Sequence, residues 1–524
     1  MKNKTLIFTI IILAVILTIV LSATNIFSNF FSTNVEGLPV ATETQIVELQ
    51  DGDTYDITMT KVKKEINGRE VKMLAYNGMI PGPTIKVNQG SEVTINLKNE
   101  TDVATSLHSH GVRLDSKYDG VIGHGQNAIK TGESFEYKIK FPDAGIFWYH
   151  PHFREDYAQE LGLYGNYMVV PNDPNYLSGV NKEEVVTLDD ILIDENGIAP
   201  FQKKNVDYAL MGRFGNMMLT NGKTDYSLDT NVGDVVRFYF TNVASTRPFK
   251  VSIPNAKMKL VAGDQGKYER ESFVDDVILG PSEREVLDVY FPKAGVYKII
   301  HTSPSKTYEL GVVNVNTKYS DKSFISLFYM ARTNMDVIND INTYRQYFDK
   351  APDKRLKLSI NMGGSNQSMG MHQMPDGSMM SNGGMMMGSA SGDGIEWEDS
   401  MSHMNEMMDA TTEWQIIDLE TGDKNMDIDW NFKKGDVVKV EIDNSLESMH
   451  PMQHPIHFHG QRFLVLSYNG VREQNLVWKD TVLIPAGRKV EILIDMSNPG
   501  DWMTHCHISE HLEAGMMFDF EVSD

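Results

Sequence analysis

The sequence predicts an all-β protein made of three tandem Greek-key β-sandwiches behind an N-terminal hydrophobic export segment. Three observations carry that prediction. A glycine-to-asparagine strand pattern occurs three times, a second pattern follows each copy in the same order, and 524 residues accommodate three sandwiches of roughly 100 to 150 residues each.

The chain begins with Lys2 and Lys4 before an apolar run at 6–21 that is relieved only by Thr9 and Thr18. A basic start followed by such a run is the layout of an export signal. The run is near the lower limit for a spanning helix, and Ser22 and Ala23 form a weak cleavage site. Residues 1–31 are therefore read as a removed signal peptide or as an uncleaved membrane anchor, and the protein as extracytoplasmic, either secreted or held on the outer face of the membrane. No cysteine stands near this exit, which excludes a bacterial-type lipoprotein anchor.

The repeated strand reads GSEVTINLKN from Gly90, GDVVRFYFTN from Gly233 and GDVVKVEIDN from Gly435. Apolar residues alternate within each copy, as a half-buried strand requires. The second pattern reads FPDAGIFWYHPH from Phe141, FPKAGVYKIIHTS from Phe291 and NPGDWMTHCHIS from Asn498. These landmarks place the sandwiches at 42–175, 184–318 and 322–524. The interval before the third copy is longer than that before the second, and a methionine-rich insertion at 361–408 accounts for most of the excess. Thirteen of the 31 methionines lie at 362–408, among glycine and serine with almost no branched or aromatic side chains. Such a composition cannot bury enough surface to order itself unaided, although residues 397–408 have the makings of a short helix.

Composition narrows the function. Hydrophobic residues make up 41% of the chain, charged residues 23%, and mean hydropathy is −0.31, which excludes both a wholly disordered chain and a multi-span membrane protein. The formal net charge of −23 repels phosphate backbones, so nucleic acid is not expected as a partner. Cys506 is the only cysteine, so an intramolecular disulfide, a tetrathiolate zinc site and an iron-sulfur cluster are all excluded.

Ten of the fifteen histidines fall in four short clusters. His108 and His110 form HSHG, His150 and His152 form HPH, His454, His457 and His459 form HPIHFHG, and His505, Cys506, His507, His511 and Met516 lie in HCHISEHLEAGM. Residues two apart in a strand point the same way, so each HxH offers two imidazoles to one side. One such pair is more often a hydrogen-bonded surface pair than a ligand set. Four clusters, confined to the first and third copies while the middle one has only His301, point to a metal site shared between those two copies. The ligand types then name the metal. One thiolate, two imidazoles and a thioether at Cys506, His454, His511 and Met516 are the set for a blue-copper electron-transfer centre. The other eight histidines, with no carboxylate in their motifs, suit copper better than metals that prefer oxygen.

At these residues the sequence resembles the multicopper oxidases, the family of laccases, ferroxidases and copper-tolerance oxidases. All four signatures stand in order, and the resemblance covers nearly all of residues 45–524. It implies three cupredoxin domains, the middle one without copper ligands, and four copper ions: one type 1, one type 2 and two type 3. His454, Cys506 and His511 would bind type 1 copper with Met516 axial. His108 and His457 would bind type 2 copper, and His110, His150, His152, His459, His505 and His507 the type 3 pair. A reducing substrate would be oxidised one electron at a time at type 1 copper, and dioxygen reduced to water at the other three. Asp119, in the YDG after HSHG, matches an aspartate that the family places near that cluster, where it would act in catalysis; a plain N-cap or turn aspartate is the alternative. Many bacterial members have a glutamate directly after the residue matching His511, whereas Leu512 stands here with Glu513 one position on, which departs from the usual proton relay.

Three readings of the electron donor follow. The methionine array resembles the lids of copper-tolerance oxidases and, with Met449, His450 and Met452, offers soft groups that select Cu(I). This favours a cuprous oxidase that also accepts phenols, although those oxidases have an aspartate where His450 stands. In the alternative, the insertion is a solvated stretch that scavenges oxidants, and the protein is a broad-specificity laccase or an Mn(II) or Fe(II) oxidase. A non-catalytic copper-binding scaffold is the third reading. It would be expected to lack ligands, and here the set is complete. A two-domain nitrite reductase is disfavoured because it lacks the middle copy.

Overall fold

A computed structural model describes residues 30–362, 372–373, 379–380, 392–407, 412–448 and 450–524. The apolar run at 6–21, Met449 and most of the insertion at 361–408 lie outside the described residues.

The three copies of the repeated strand fold alike, for reasons legible in their end residues. Gly90, Gly233 and Gly435 take positive φ values of 93°, 86° and 92°, the left-handed turn that feeds each strand and that a side chain would strain. At the other end, Asn99, Asn242 and Asn444 are buried, and each side-chain amide donates to two carbonyls of neighbouring loops. Asn99 reaches Val103 and Ile129, Asn242 reaches Arg247 and Leu279, and Asn444 reaches Met452 and Ile484, all at 2.7–3.0 Å. The asparagine ties off loop carbonyls that burial would otherwise leave unpaired.

Between these ends the wiring repeats. Glu92–Asn99, Val235–Asn242 and Asp436–Asn444 each pair in parallel with an earlier strand of their sheet, Thr54–Ile66, Lys182–Ile191 and Lys354–Asn361. Each also pairs antiparallel with a later strand, Ser134–Lys140, Arg284–Tyr290 and Arg488–Met496. In the facing sheets, Gly145–His150, Gly295–Thr302 and Gly500–Cys506 each lie between two antiparallel partners. The result is three two-sheet sandwiches of four and five, six and five, and six and five strands. Their cores are filled by alternate inward residues such as Ile57, Ile95 and Tyr137, then Phe238, Leu287 and Ile299, then Val440, Ile492 and Phe518. Each such side chain stabilises its sandwich by about 1.5–3 kcal/mol.

Two features were not legible beforehand. The link between the second and third sandwiches carries two short helices, Ile325–Tyr329 and Met335–Asn342. The expected helix at 397–408 is shorter and runs over Ser402–Met407. The residues before it are pinned in another conformation, since Arg247 Nη1 donates to the Trp397 carbonyl at 2.6 Å while Ile395 and Trp397 pack on Leu483. Asn405 then fastens the helix to the middle sandwich by accepting the Met211 N–H and donating to the Gly212 carbonyl.

Candidate metal centres

Strand pairing brings the histidine clusters together. In the first sandwich His108 lies opposite His150 and His110 opposite Trp148. In the third, His457 lies opposite His505 and Ile456 opposite Cys506. The two sheets face each other, and the rings interleave across the junction: His110 stacks on His457 at 3.8 Å, and His108 lies 4.1 Å from His459. These six histidines, and with them His152 and His507, are buried.

Their nitrogens gather in threes. His110, His150 and His507 form one group, His152, His459 and His505 a second, and His108, His110 and His457 a third, with one candidate ligand atom from each residue within 4.8 Å of the others. Burial, reinforced by neighbouring rings, pushes the ring pKa of His110, His150, His152, His457, His459 and His507 far below the ordinary value, and burial takes His505 down to about 3. The rings are therefore neutral at physiological pH and keep a lone pair to offer.

Hydrogen bonds fix which nitrogen offers it. Nδ1 of His108, His150, His457 and His505 donates to the backbone carbonyls of Asp119, Pro151, Asp480 and Cys506 at 2.7–2.8 Å. This leaves Nε2 as the acceptor, and on His108, His150 and His457 it is buried with no partner. Buried polar atoms without partners are rare enough to require an explanation, and a metal supplies one. The second group makes the point more sharply. His459 Nε2 and His505 Nε2 lie 2.9 Å apart although the Nδ1 of each is already a donor, to Asp119 and to Cys506. With both Nδ1 atoms donating, two lone pairs face each other there, with His152 Nε2 3.2 and 3.3 Å away, and a cation among the three nitrogens removes the repulsion.

The separate cluster in the third sandwich has Cys506 Sγ 3.6 Å from His454 Nδ1 and 3.8 Å from His511 Nδ1, with 3.3 Å between the two nitrogens. Burial raises the thiol pKa and lowers that of His454 to about 3, so an uncharged set waits for a cation to draw off the thiol proton. Met516 is fully buried in the same core, and its carbonyl accepts the Cys506 N–H at 3.1 Å. Trp414 covers the two imidazoles, with ring distances of 4.1 Å to His511 and 4.8 Å to His454. A thiolate with two imidazoles, and a larger array of neutral imidazoles, are donor sets that fit copper.

Asp119 is buried between the groups. Its carboxylate accepts from His459 Nδ1 at 2.7 Å, while its carbonyl accepts from His108. It is not an N-cap: Asp115 fills that place in the turn Ser116–Tyr118, which Asp119 closes through its backbone N–H. Leu512 is buried, and the neighbouring Glu513 accepts the Glu155 N–H at 3.3 Å. Burial and the nearby Asp156 push Glu513 up to about 8. Glu155 is raised well above the usual range by burial and by Glu513, and its carboxylate lies 3.7 Å from His152 and 3.9 Å from His150. Sequence reasoning missed Glu155, whose position three residues after His152 was the available signal. It also missed Asp480, which has no local signature and is recognised only by the pairing of Thr481 with His457.

Comparisons with known proteins agree with this geometry. Multicopper oxidase family models match residues 57–174 and 396–524, the two regions that contain every histidine of the clusters. The chain is 28% identical to the multicopper oxidase mco of Staphylococcus aureus over 90% of its own length and 88% of that protein. It is 23% identical to copper resistance protein A of Escherichia coli over 93% and 94%. In fold it resembles a solved laccase-like multicopper oxidase from Ochrobactrum sp., with a TM-score of 0.68 and 22% identity over 93% of this chain and all of that one. With multicopper oxidase domains matched at both ends, similar multicopper oxidases along most of the length, and neutral imidazoles and a thiol gathered where copper would sit, the chain carries the two ligand-bearing domains of a multicopper oxidase and is an oxidoreductase with copper as its cofactor.

Proposed function

We propose that the protein is an exported oxidase of Cu(I) that also accepts phenols. In this reading His454, Cys506, His511 and Met516 would hold type 1 copper, and His108 and His457 would hold type 2 copper. His110, His150 and His507 hold one type 3 copper, and His152, His459 and His505 the other. Copper bound there supplies one-electron oxidation of the donor and four-electron reduction of dioxygen to water. The chain's own part is to connect and to position. Cys506 sits between His505 and His507, so the backbone joins the two centres, and the His505 Nδ1 bond to the Cys506 carbonyl shortens that path. Asp119 orients His459 and His108 and stands within reach of the protons that reduction of dioxygen consumes. Residues 1–31 direct export to the outer face of the membrane or beyond.

One observation carries the choice of donor. His450 Nε2 lies 2.9 Å from Met211 Sδ, both buried, and the His450 ring is 6.2 Å from Trp414, which covers His454 and His511. A thioether beside the electron entry is a soft ligand that selects Cu(I), and the imidazole next to it also binds copper. The burial of His454 and His511 beneath Trp414 also keeps bulky donors from touching those rings directly. Oxygen uptake by the copper-loaded protein, measured in parallel with Cu(I), a phenol, Fe(II) and Mn(II), tests the reading. Fastest turnover with Cu(I) is expected; faster turnover of the phenol or of Fe(II) or Mn(II) would replace it with the laccase or metal-oxidase alternative, and no turnover at all with the scaffold reading.

A further inference from the structure

The middle sandwich supplies none of the proposed ligands, yet one of its side chains reaches the wall of the histidine cluster. Arg284 opens the strand Arg284–Tyr290 and is fully buried. All five of its side-chain N–H groups are used. Nη1 and Nη2 grip the two oxygens of Asp480 at 2.7 and 2.6 Å, and also donate to the carbonyls of Ser282 and Asp264 at 3.1 and 3.0 Å. Nε donates to the Ile146 carbonyl at 3.3 Å. One guanidinium thus touches all three sandwiches.

Asp480 in turn faces two histidines from different sandwiches. Its Oδ1 accepts from His110 Nε2 at 3.0 Å, and its carbonyl accepts from His457 Nδ1 at 2.8 Å. The middle sandwich reinforces it twice more. Gln265 Nε2 donates to Asp480 Oδ2 at 3.2 Å and to the carbonyl of Gly111, the residue after His110, at 3.0 Å. Ser282 Oγ donates at 3.0 Å to Thr481 Oγ1, which lies 3.1 Å from His110 Nε2. The packing leaves no slack, because a Cβ on Gly111 would stand 2.3 Å from Asp480 Oδ2.

We propose that Arg284 is a positioning residue for the trinuclear copper site, acting through Asp480 to fix the ring orientations of His110 and His457. The proposal rests on the assignment of those two histidines as ligands. A planar fork with fixed donor directions locks both carboxylate oxygens, whereas an ammonium would hold one point and let the carboxylate turn. An ion pair serving only as interface glue would not need its carboxylate and its carbonyl to end on two different metal-facing rings. The sandwich without ligands therefore sets the geometry of its neighbours' ligands.

The test uses the copper-loaded full chain with Arg284→Lys and, as the milder probe, Gln265→Ala, which leaves no unpaired charge behind. The readouts are the blue band, the type 2 electron paramagnetic resonance signal, and the rate at which each class of copper is lost to a chelator. In Arg284→Lys the blue band should be unchanged, the type 2 signal altered, and trinuclear copper lost about tenfold faster or more; Gln265→Ala should shift the same two readouts less. If Arg284→Lys does not fold, Gln265→Ala decides. A type 2 signal and chelator resistance equal to the native protein's would overturn the proposal. So would parallel loss of type 1 and trinuclear copper, which is what a loosened interface alone produces. A native protein with no type 2 signal would instead overturn the ligand assignment on which the proposal stands.

Discussion

Five residues after the glycine that opens the strand, the first sandwich sets His150 opposite His108 and the third sets His505 opposite His457, while the middle sandwich sets Ile300 opposite Ser252. The strands around that position are wired identically in all three. His301, one residue further along, is a buried core residue that stands alone: its Nδ1 accepts the Lys250 N–H, its Nε2 has no partner among the described residues and no second imidazole opposite it, its ring stacks on Tyr308, and burial takes its pKa down to about 4. The same scaffold thus presents either a ligand wall or an apolar core, according to side-chain identity alone. Fold and chemistry are separable here, and the middle sandwich contributes to the chemistry through hydrogen bonds to its neighbours.

The contrast can be broken most severely in the third sandwich. Cys506 is the only thiol, so Cys506→Ser should abolish the blue colour and reduce oxidase activity to background. A visible spectrum that kept the band would remove the assignment of the type 1 centre. The next largest effect separates the two centres within one strand. His454 and His457 both lie on the strand His454–Phe458 but face different groups. His457→Ala should retain the blue band while dioxygen consumption falls by two orders of magnitude or so, the order of effect seen when one catalytic group is removed. Loss of the band with dioxygen reduction intact would exchange the two roles.

A third change sharpens the comparison by ignoring chemistry. Asn242 and Asn444 make the same two carbonyl bonds in the middle and third sandwiches. Replacing either by Ala should cost about 1–3 kcal/mol, because two buried carbonyls lose their donor. Denaturant unfolding of the two variants should give similar losses, with the blue band of the folded protein kept in both. A much larger loss for Asn444→Ala would mean that this asparagine also supports the copper site.

Legibility in the sequence followed locality. The three sandwiches were readable because the glycine that needs a positive φ and the asparagine that caps buried loops recur at fixed spacing. The histidine clusters were readable because a ligand strand places both imidazoles two residues apart. What could not be read depends on which sandwich meets which. Arg284 and Asp480 are separated by almost 200 residues of chain, and neither stands in a motif. Glu155 had a local signal in its place three residues after His152, but its contact with Glu513 on another sandwich was not legible. The helix expected from 397 was misplaced because Arg247, again from the middle sandwich, holds the Trp397 carbonyl.

The smallest expected effect concerns the segment between the docked residues of the third sandwich. Residues 392–407 are fastened by Arg247 and Asn405, so deleting only 363–391 leaves those anchors in place. The deleted stretch contains Met369, Met371, Met374, Met379, Met380, Met385, Met386 and Met387, thioethers able to raise the local concentration of Cu(I). Its removal should lower Cu(I) turnover several-fold at limiting Cu(I) and much less at saturation, because capture is weakened while electron transfer is not. Phenol oxidation should be equal or faster, since a phenol gains nothing from thioethers. Steady-state oxygen uptake with both donors, on protein checked for its full copper complement, makes the comparison. If Cu(I) oxidation were untouched and phenol oxidation weakened, the segment would be part of a phenol site, and the laccase reading would take the place of the cuprous one.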